Sequence, residues 1–191
     1  RENDVFVQAR SRIGDQMTVR YIDSFENVPA QFLVANTVPV LPGKYEWNNF
    51  DVAVRSFQGR LITLNANVTC CSFYNGSAVH PRAELVFRPS IYFETSVSYE
   101  GNFIDLPTGK VDIHLATMDA AVNFTPDMQL ALQAQYDNIS KNFGFSARYR
   151  WEYTPGNEIF IGAGQSALID NRGFMGQVTQ GTIRVGHTFR F

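Results

Sequence analysis

Apolar and polar residues alternate with a period of two along most of this chain, the pattern of β-strands whose two faces meet different surroundings. The clearest stretch is Asn142 to Tyr153. Phe143, Phe145, Ala147, Tyr149, Trp151 and Tyr153 share one face, and Asn142, Gly144, Ser146, Arg148, Arg150 and Glu152 share the other. Leu130, Leu132, Ala134 and Tyr136 alternate with Gln129, Gln133 and Gln135. Ile91, Phe93, Thr95, Val97 and Tyr99 alternate with Glu94, Ser96, Ser98 and Glu100. Ile62, Leu64, Ala66, Val68 and Cys70 alternate with Thr63, Asn65, Asn67, Thr69 and Cys71. The last segment sets Ile183, Val185, His187, Phe189 and Phe191 against Thr182, Arg184, Gly186, Thr188 and Arg190. Helical periodicity is not convincing anywhere.

Turn signals built on proline and glycine punctuate the strands at Phe57-Gln58-Gly59, Arg88-Pro89-Ser90, Thr125-Pro126-Asp127 and Thr154-Pro155-Gly156-Asn157. Longer irregular connections are expected at 100–110 and 168–180, and the longest at 25–44 holds a short strand near Phe32–Val38. Short turns on one side and longer loops on the other fit an antiparallel up-and-down sheet, which hides its edges by closing into a barrel. A soluble barrel is apolar inside and a membrane barrel apolar outside. The polar faces decide between them. They alternate over roughly ten residues and end in aromatics, as outer-membrane strands of about 9–11 residues with aromatic girdles do. Phe87, Phe124, Trp151, Tyr153, Phe189 and Phe191 form one expected girdle; Tyr74, Tyr99, Tyr136 and Phe143 sit at the opposite strand ends. The expected fold is therefore all-β, an antiparallel up-and-down transmembrane β-barrel of outer-membrane type, 10–12 strands over residues 1–191 as one domain or the C-terminal segment of a larger barrel.

The alternation through Val185, His187, Phe189 and the terminal Phe191 resembles the C-terminal signal that marks bacterial outer-membrane barrels for insertion. In such barrels the last strand ends at the periplasm. Counting backwards places downward strands near 181–191, 141–153, 110–124, 77–87, 45–57 and 4–10, and upward strands near 157–167, 128–138, 90–100, 61–74 and 15–24. The count is eleven, whereas bacterial single-chain barrels normally have an even number. Either 25–44 hides a further strand or strands precede Arg1; the second is preferred, and the start at Arg1 without a signal peptide fits a processed product or fragment. The segment 110–124 breaks the alternation: Val111, Ile113 and Leu115 begin on one face, and Met118, Ala120, Val122 and Phe124 continue on the other. A β-bulge near Ala116–Thr117 would restore the register.

Residues 19–167 resemble the C-terminal part of a large bacterial outer-membrane family whose members carry an N-terminal domain like family-nine carbohydrate-binding modules ahead of a long barrel, and which are loosely labelled hydrolases. The resemblance lies in Val38-Pro39-Val40-Leu41-Pro42-Gly43-Lys44-Tyr45, Ser72-Phe73-Tyr74-Asn75-Gly76, Ile104-Asp105-Leu106-Pro107-Thr108-Gly109, Gln135-Tyr136-Asp137-Asn138 and, most specifically, Arg150-Trp151-Glu152-Tyr153-Thr154-Pro155-Gly156-Asn157-Glu158. It implies a barrel in the bacterial outer membrane. It transfers neither sugar binding, since that domain is not in these residues, nor any catalytic residue.

Composition narrows the chemistry. Of 191 residues 45% are hydrophobic, 14% aromatic and 18% charged, with a net charge of −2. That excludes disorder and gives no basic field for nucleic acid. Cys70 and Cys71 are adjacent, so in an extended strand they point to opposite faces, and neither a disulfide framework nor a cysteine zinc site is expected. His80, His114 and His187 lack metal-ligand spacing; His80 and His114 are placed on the polar face and His187 on the apolar one. Gly162-Ala163-Gly164-Gln165-Ser166 sits in a strand with no helix to follow it, so it is neither a phosphate loop nor a nucleophile elbow.

The candidate functional residues are the charges of the polar face: Arg10, Arg20, Arg82, Glu84, Glu94, Asp112, Arg148, Arg150, Glu152 and Arg184. An Arg or Lys on the lipid face costs about 2–4 kcal/mol at the midplane, so these are expected to line the lumen. They either tune a pore or pair into cross-strand ladders that fill it. Glu84 and Glu94 resemble a glycosidase pair only in type, since nothing fixes their separation. No cofactor is expected. The expected partners are the lipid bilayer, the barrel-assembly machinery during insertion, and other outer-membrane or periplasmic proteins. The expected function is a channel or transport barrel for small solutes, saccharide-related ones among them. The alternatives are a plugged barrel serving as anchor or scaffold and, further back, a membrane-associated hydrolase.

Overall fold

The structure, a computed structural model, describes residues 1–170 and 173–188. These form thirteen strands and no helix: β1 (Glu2–Arg10), β2 (Gln16–Val28), β3 (Phe32–Val34), β4 (Val38–Val40), β5 (Gly43–Arg55), β6 (Ile62–Cys71), β7 (Ser77–Ser90), β8 (Phe93–Leu106), β9 (Gly109–Thr125), β10 (Met128–Asp137), β11 (Asn142–Thr154), β12 (Asn157–Asp170) and β13 (Gly173–His187). Eleven of them pair in one sheet in the order β1-β2-β5-β6-β7-β8-β9-β10-β11-β12-β13, and β3 and β4 pair only with each other. With that small hairpin set aside, every sheet neighbour is the next strand in sequence, an antiparallel up-and-down meander.

All eleven strands expected from the alternation are present, but two loops expected beside them are not. Residues 100–110 and 168–180 are almost wholly strand, since β8 runs to Leu106, β9 starts at Gly109, and β12 and β13 reach Asp170 and Gly173. The physical reason is that alternation reports unlike surroundings on the two faces, whereas the backbone ladder needs only a paired neighbour. A strand that continues with polar residues on both faces is invisible to the pattern. The segment 25–44 contributes a hairpin and no further member of the sheet.

The bulge expected near Ala116–Thr117 is also elsewhere. β9 and β10 run in unbroken register from Leu115 opposite Asp137 to Asn123 opposite Gln129, and the extra residue is Phe124, ahead of Thr125 opposite Met128. No slip is needed at Ala116 because Val111, Ile113 and Leu115 belong on the polar face. Val111 and Ile113 are apolar because they pack beneath the β3–β4 hairpin.

The chain divides into two compact units, Arg1–Leu85 with Tyr99–His114, and Val86–Ser98 with the chain from Leu115 onwards. In the first unit the buried apolar cluster is Val28, Val38, Val40, Ala78, Ile104, Leu106 and Val111, with Val34, Tyr45, Phe73 and Tyr74 packed against it. The hairpin supplies Val34, Val38 and Val40. The rest come from the ends of β2, β5, β7, β8 and β9 and from the β6–β7 turn. In the second unit the buried apolar residues, among those described, are Val86 and Ala167. Neither unit buries the apolar face of its strands, which stays exposed.

Candidate functional site: the polar face and the hairpin seated on it

In the first unit, cross-strand register sets the polar residues in rows. Phe6, Arg20, Asp51 and Thr69 are successive partners across β1, β2, β5 and β6, and Arg10, Gln16, Arg55 and Asn65 form a parallel row. Side chains within and between the rows bond to one another. Arg20 Nε lies 3.4 Å from Asp4 Oδ2, an ion pair without an aligned hydrogen bond, and its guanidinium stands 5.8 Å from the Phe6 ring centre. Asp51 accepts from Asn67 Nδ2 at 3.2 Å and Thr69 Oγ1 at 2.9 Å. Glu84 accepts from Asn65 Nδ2 at 3.1 Å, and Arg82 pairs with Glu100 at 2.9 Å. His80 Nδ1 is 2.6 Å from Asn102 Oδ1. Together Arg20, Arg55, Arg82, Asp51 and Glu84 border a polar hollow of about 430 Å³.

The hairpin covers the other end of that face. Ala35 and Asn36 both take the left-handed conformation (φ 50° and 57°), and Thr37 N–H donates to Val34 O at 3.0 Å to close the turn. Three further contacts hold the hairpin and its flanks. Thr108 Oγ1 donates to Pro39 O at 2.6 Å, Tyr45 Oη to Leu41 O at 2.8 Å, and Tyr74 Oη to Glu26 Oε2 at 2.8 Å. Tyr74 stacks edge-on with Tyr45 and Phe73 and lies beside Trp47, so it belongs to this seat and not to an aromatic girdle. Burial first, then the neighbouring Glu26 carboxylate, raises the Tyr74 phenol well above its ordinary range.

In the second unit the polar face carries two kinds of surface. Around Gln133, Gln135, Asn142, Ser146 and Ser166 lies a polar hollow of about 340 Å³ in which Asp137 is the one charged lining residue. Near the 155–156 turn the charges form a ladder. Arg150 reaches Glu152 and Glu158, each at 3.3 Å, Arg184 reaches Glu158 at 3.2 Å, and the Arg184 guanidinium stands 5.5 Å from the Phe160 ring. Glu94 pairs with Arg88. Arg148 is set between Ala131 and Gly162, its register partners on either side, and forms no ion pair among the described residues.

The sequence-selected charges thus fall into groups. Arg10, Arg20, Arg82 and Glu84 share one polar face in the first unit, and Glu94, Arg148, Arg150, Glu152 and Arg184 share one in the second. Asp112 differs. It alternates with the packed Val111 and Ile113 and lies on the opposite face with His114, whose ring is 2.8 Å from Tyr99 Oη and 5.3 Å, centre to centre, from Phe103. Sequence reading put His114 and Asp112 on the polar face because it assumed that Val111 and Ile113 face lipid. Of the terminal residues, Val185 and His187 share the face of Ile183, with His187 bonded to Asn157; Phe189 and Phe191 lie outside the described residues. Cys70 and Cys71, expected to point apart, are joined to each other in a disulfide at the end of β6.

Sequence reasoning passed over Asp4, Glu100 and Glu158, the acids that complete these pairs, and Asp51, which accepts from Asn67 and Thr69. Their signal was present, since Asp51 alternates with Phe50 and Val52. It also missed the seat of the hairpin, for which the run Val38-Pro39-Val40-Leu41-Pro42 inside a loop was the available clue.

No family model matches this chain, and no curated protein matches it. Among solved structures it is similar to the NanC porin in a rhombohedral crystal form, at 15% identity and a TM-score of 0.41, over 98% of this chain and 99% of that one.

Proposed function

We propose that this chain forms an outer-membrane β-barrel, or part of the wall of one, that admits small polar solutes along its polar face. One observation carries the reading: the two faces of the same strands are treated in opposite ways. On the first unit Val5, Val7, Met17, Val19, Tyr21, Phe50, Val52 and Val54 line one face and stay exposed, and on the second Met118, Phe145, Trp151, Ile161 and Ile183 do the same. Soluble monomers rarely leave continuous apolar areas of more than a few hundred Å² open to water, whereas a bilayer is the solvent such a face needs. The other face is hydrogen-bonded and hollowed, which suits a hydrated path.

The seated hairpin favours a second reading, a plugged barrel acting as anchor or scaffold. Single-channel recording on the purified chain in planar bilayers separates the two. Stepwise conductance supports the solute path; a silent bilayer, with the protein inserted, supports the anchor. Recovery of the chain in the aqueous fraction without detergent would overturn both. Partners beyond the bilayer and the assembly machinery belong to the anchor reading and would co-purify in detergent. Turnover by the chain alone would revive the hydrolase reading. The resemblance to the family with the carbohydrate-binding-like domain has its own test, the intact mass of the protein from its native membrane. A mass far above 21.5 kDa supports it.

A further inference from the structure

On the polar face of the first unit, charges of opposite sign stand near one hollow without having paired. Arg10, Gln16, Arg55 and Asn65 are successive partners across β1, β2, β5 and β6, and Asn65 Nδ2 donates to Glu84 Oε2 on β7 at 3.1 Å. Arg10 and Arg55 form no ion pair among the described residues, and Glu84 has no cationic partner there. Asn65 is the spacer. Its carbonyl oxygen accepts from Gln58 Nε2 in the β5–β6 turn at 3.4 Å while its amide donates to Glu84, so both ends of the side chain are committed. Arg55 and Glu84 lie on the strands to either side of it, two strand spacings or about 10 Å apart at the backbone. Both border the hollow of about 430 Å³, and the other charges at its border are engaged: Arg20 with Asp4, Arg82 with Glu100, and Asp51 with Asn67 and Thr69.

We infer that this hollow binds a zwitterionic solute, an α-amino acid or a short peptide, with its carboxylate on Arg55 and its ammonium on Glu84. The inference rests on the solute path proposed above and names the class of solute. Charge selects the occupant. An anion alone leaves Glu84 unneutralised, a cation alone leaves Arg55 so, and a neutral polyol engages neither charge; a molecule that carries both satisfies the two at once. The guanidinium offers paired N–H donors to a carboxylate, and the Glu84 carboxylate accepts from an ammonium. Gln16, between Arg10 and Arg55 in the row, offers its amide to a peptide bond. Arg10, beyond it, strengthens the field that draws the carboxylate to this end of the hollow.

Isothermal titration of the full chain in detergent tests it, with glycylglycine as the zwitterion, N-acetylglycine as the anion alone and glycinamide as the cation alone. Glycylglycine is expected to bind best. R55Q and E84Q each weaken it about fivefold, and E84Q keeps an acceptor for Asn65. The two variants differ on the other probes: R55Q weakens N-acetylglycine and spares glycinamide, whereas E84Q weakens glycinamide and spares N-acetylglycine. A merely structural role would not produce that split, and K141Q, in a turn of the second unit, changes nothing. N-acetylglycine binding as tightly as glycylglycine would make this an anion site and overturn the inference. So would equal binding of all three probes, binding of none, or indifference to either substitution. Single-channel conductance is recorded on the same preparation. Wild type that is silent yet prefers glycylglycine sinks the solute path, whereas wild type that conducts and shows no preference sinks this inference alone.

Discussion

At the scale of single residues, Asp15 offers the sharpest test. The Phe57 amide holds its carboxyl below the ordinary 3.8; desolvation opposes this, and Arg60 and Ser11 add to the lowering. A carboxyl depressed in the folded state stabilises it above the unfolded pKa and loses that contribution as pH falls through the folded one. Hydrogen exchange at the Phe57 amide, taken relative to the intrinsic rate of the free peptide at each pH, is therefore expected to stay slow at neutral pH and to quicken below about pH 4. In D15N it should be faster throughout and insensitive to that titration; an unchanged acid limb in D15N would disprove the assignment. A second residue is held against its preference. Ala35 carries a left-handed backbone that costs a non-glycine residue about 1–2 kcal/mol, so A35G is expected to slow exchange of the hairpin amides by up to about tenfold. Slower exchange confined to residues 32–40 is the signature to look for.

At the scale of elements, the strands were legible and their limits were not. β10 and β11 could be read residue by residue because every second side chain meets a different environment. β9 could not, because Val111 and Ile113 are apolar for a reason that lies far away in sequence, under Val38 and Val40. Alternation records whether a side chain is surrounded by apolar material, not whether that material is lipid or another part of the chain. Asp112 and His114 were assigned to the wrong face for the same reason, and the acids Asp51 and Glu158 could be paired only once register was known. The face assignment in β9 has a direct check. Met118 is half-exposed on the apolar face, and Thr117 is the register partner of Gln135 on the polar one. M118R is expected to cost about 2–4 kcal/mol in unfolding from a bilayer if it lies at midplane depth, and T117R much less. The reverse order would put Met118 on the polar face and overturn the assignment.

At the scale of the whole molecule, the question is how much of the polar face is open. Arg150, Arg184 and Glu158 are tied to one another, and surface pairs of this kind contribute little to stability, about 0–1 kcal/mol each. Their effect is to hold side chains in place. In the first unit the hairpin covers part of the polar face, with Val38 and Val40 each only 2% exposed. Replacing residues 29–42 by Asn-Gly is expected to raise single-channel conductance while the protein still inserts into vesicles; unchanged conductance would mean the hairpin stands clear of the path. That replacement is feasible because β2 and β5 already pair directly, Val28 opposite Gly43, at the root of the excursion. The sheet does not depend on what lies between those two residues. The segment is in this sense a cassette: one deletion or recombination event could remove it, lengthen it or exchange it for another without disturbing a single strand register, so the cover of the polar face is free to diverge faster than the sheet that carries it.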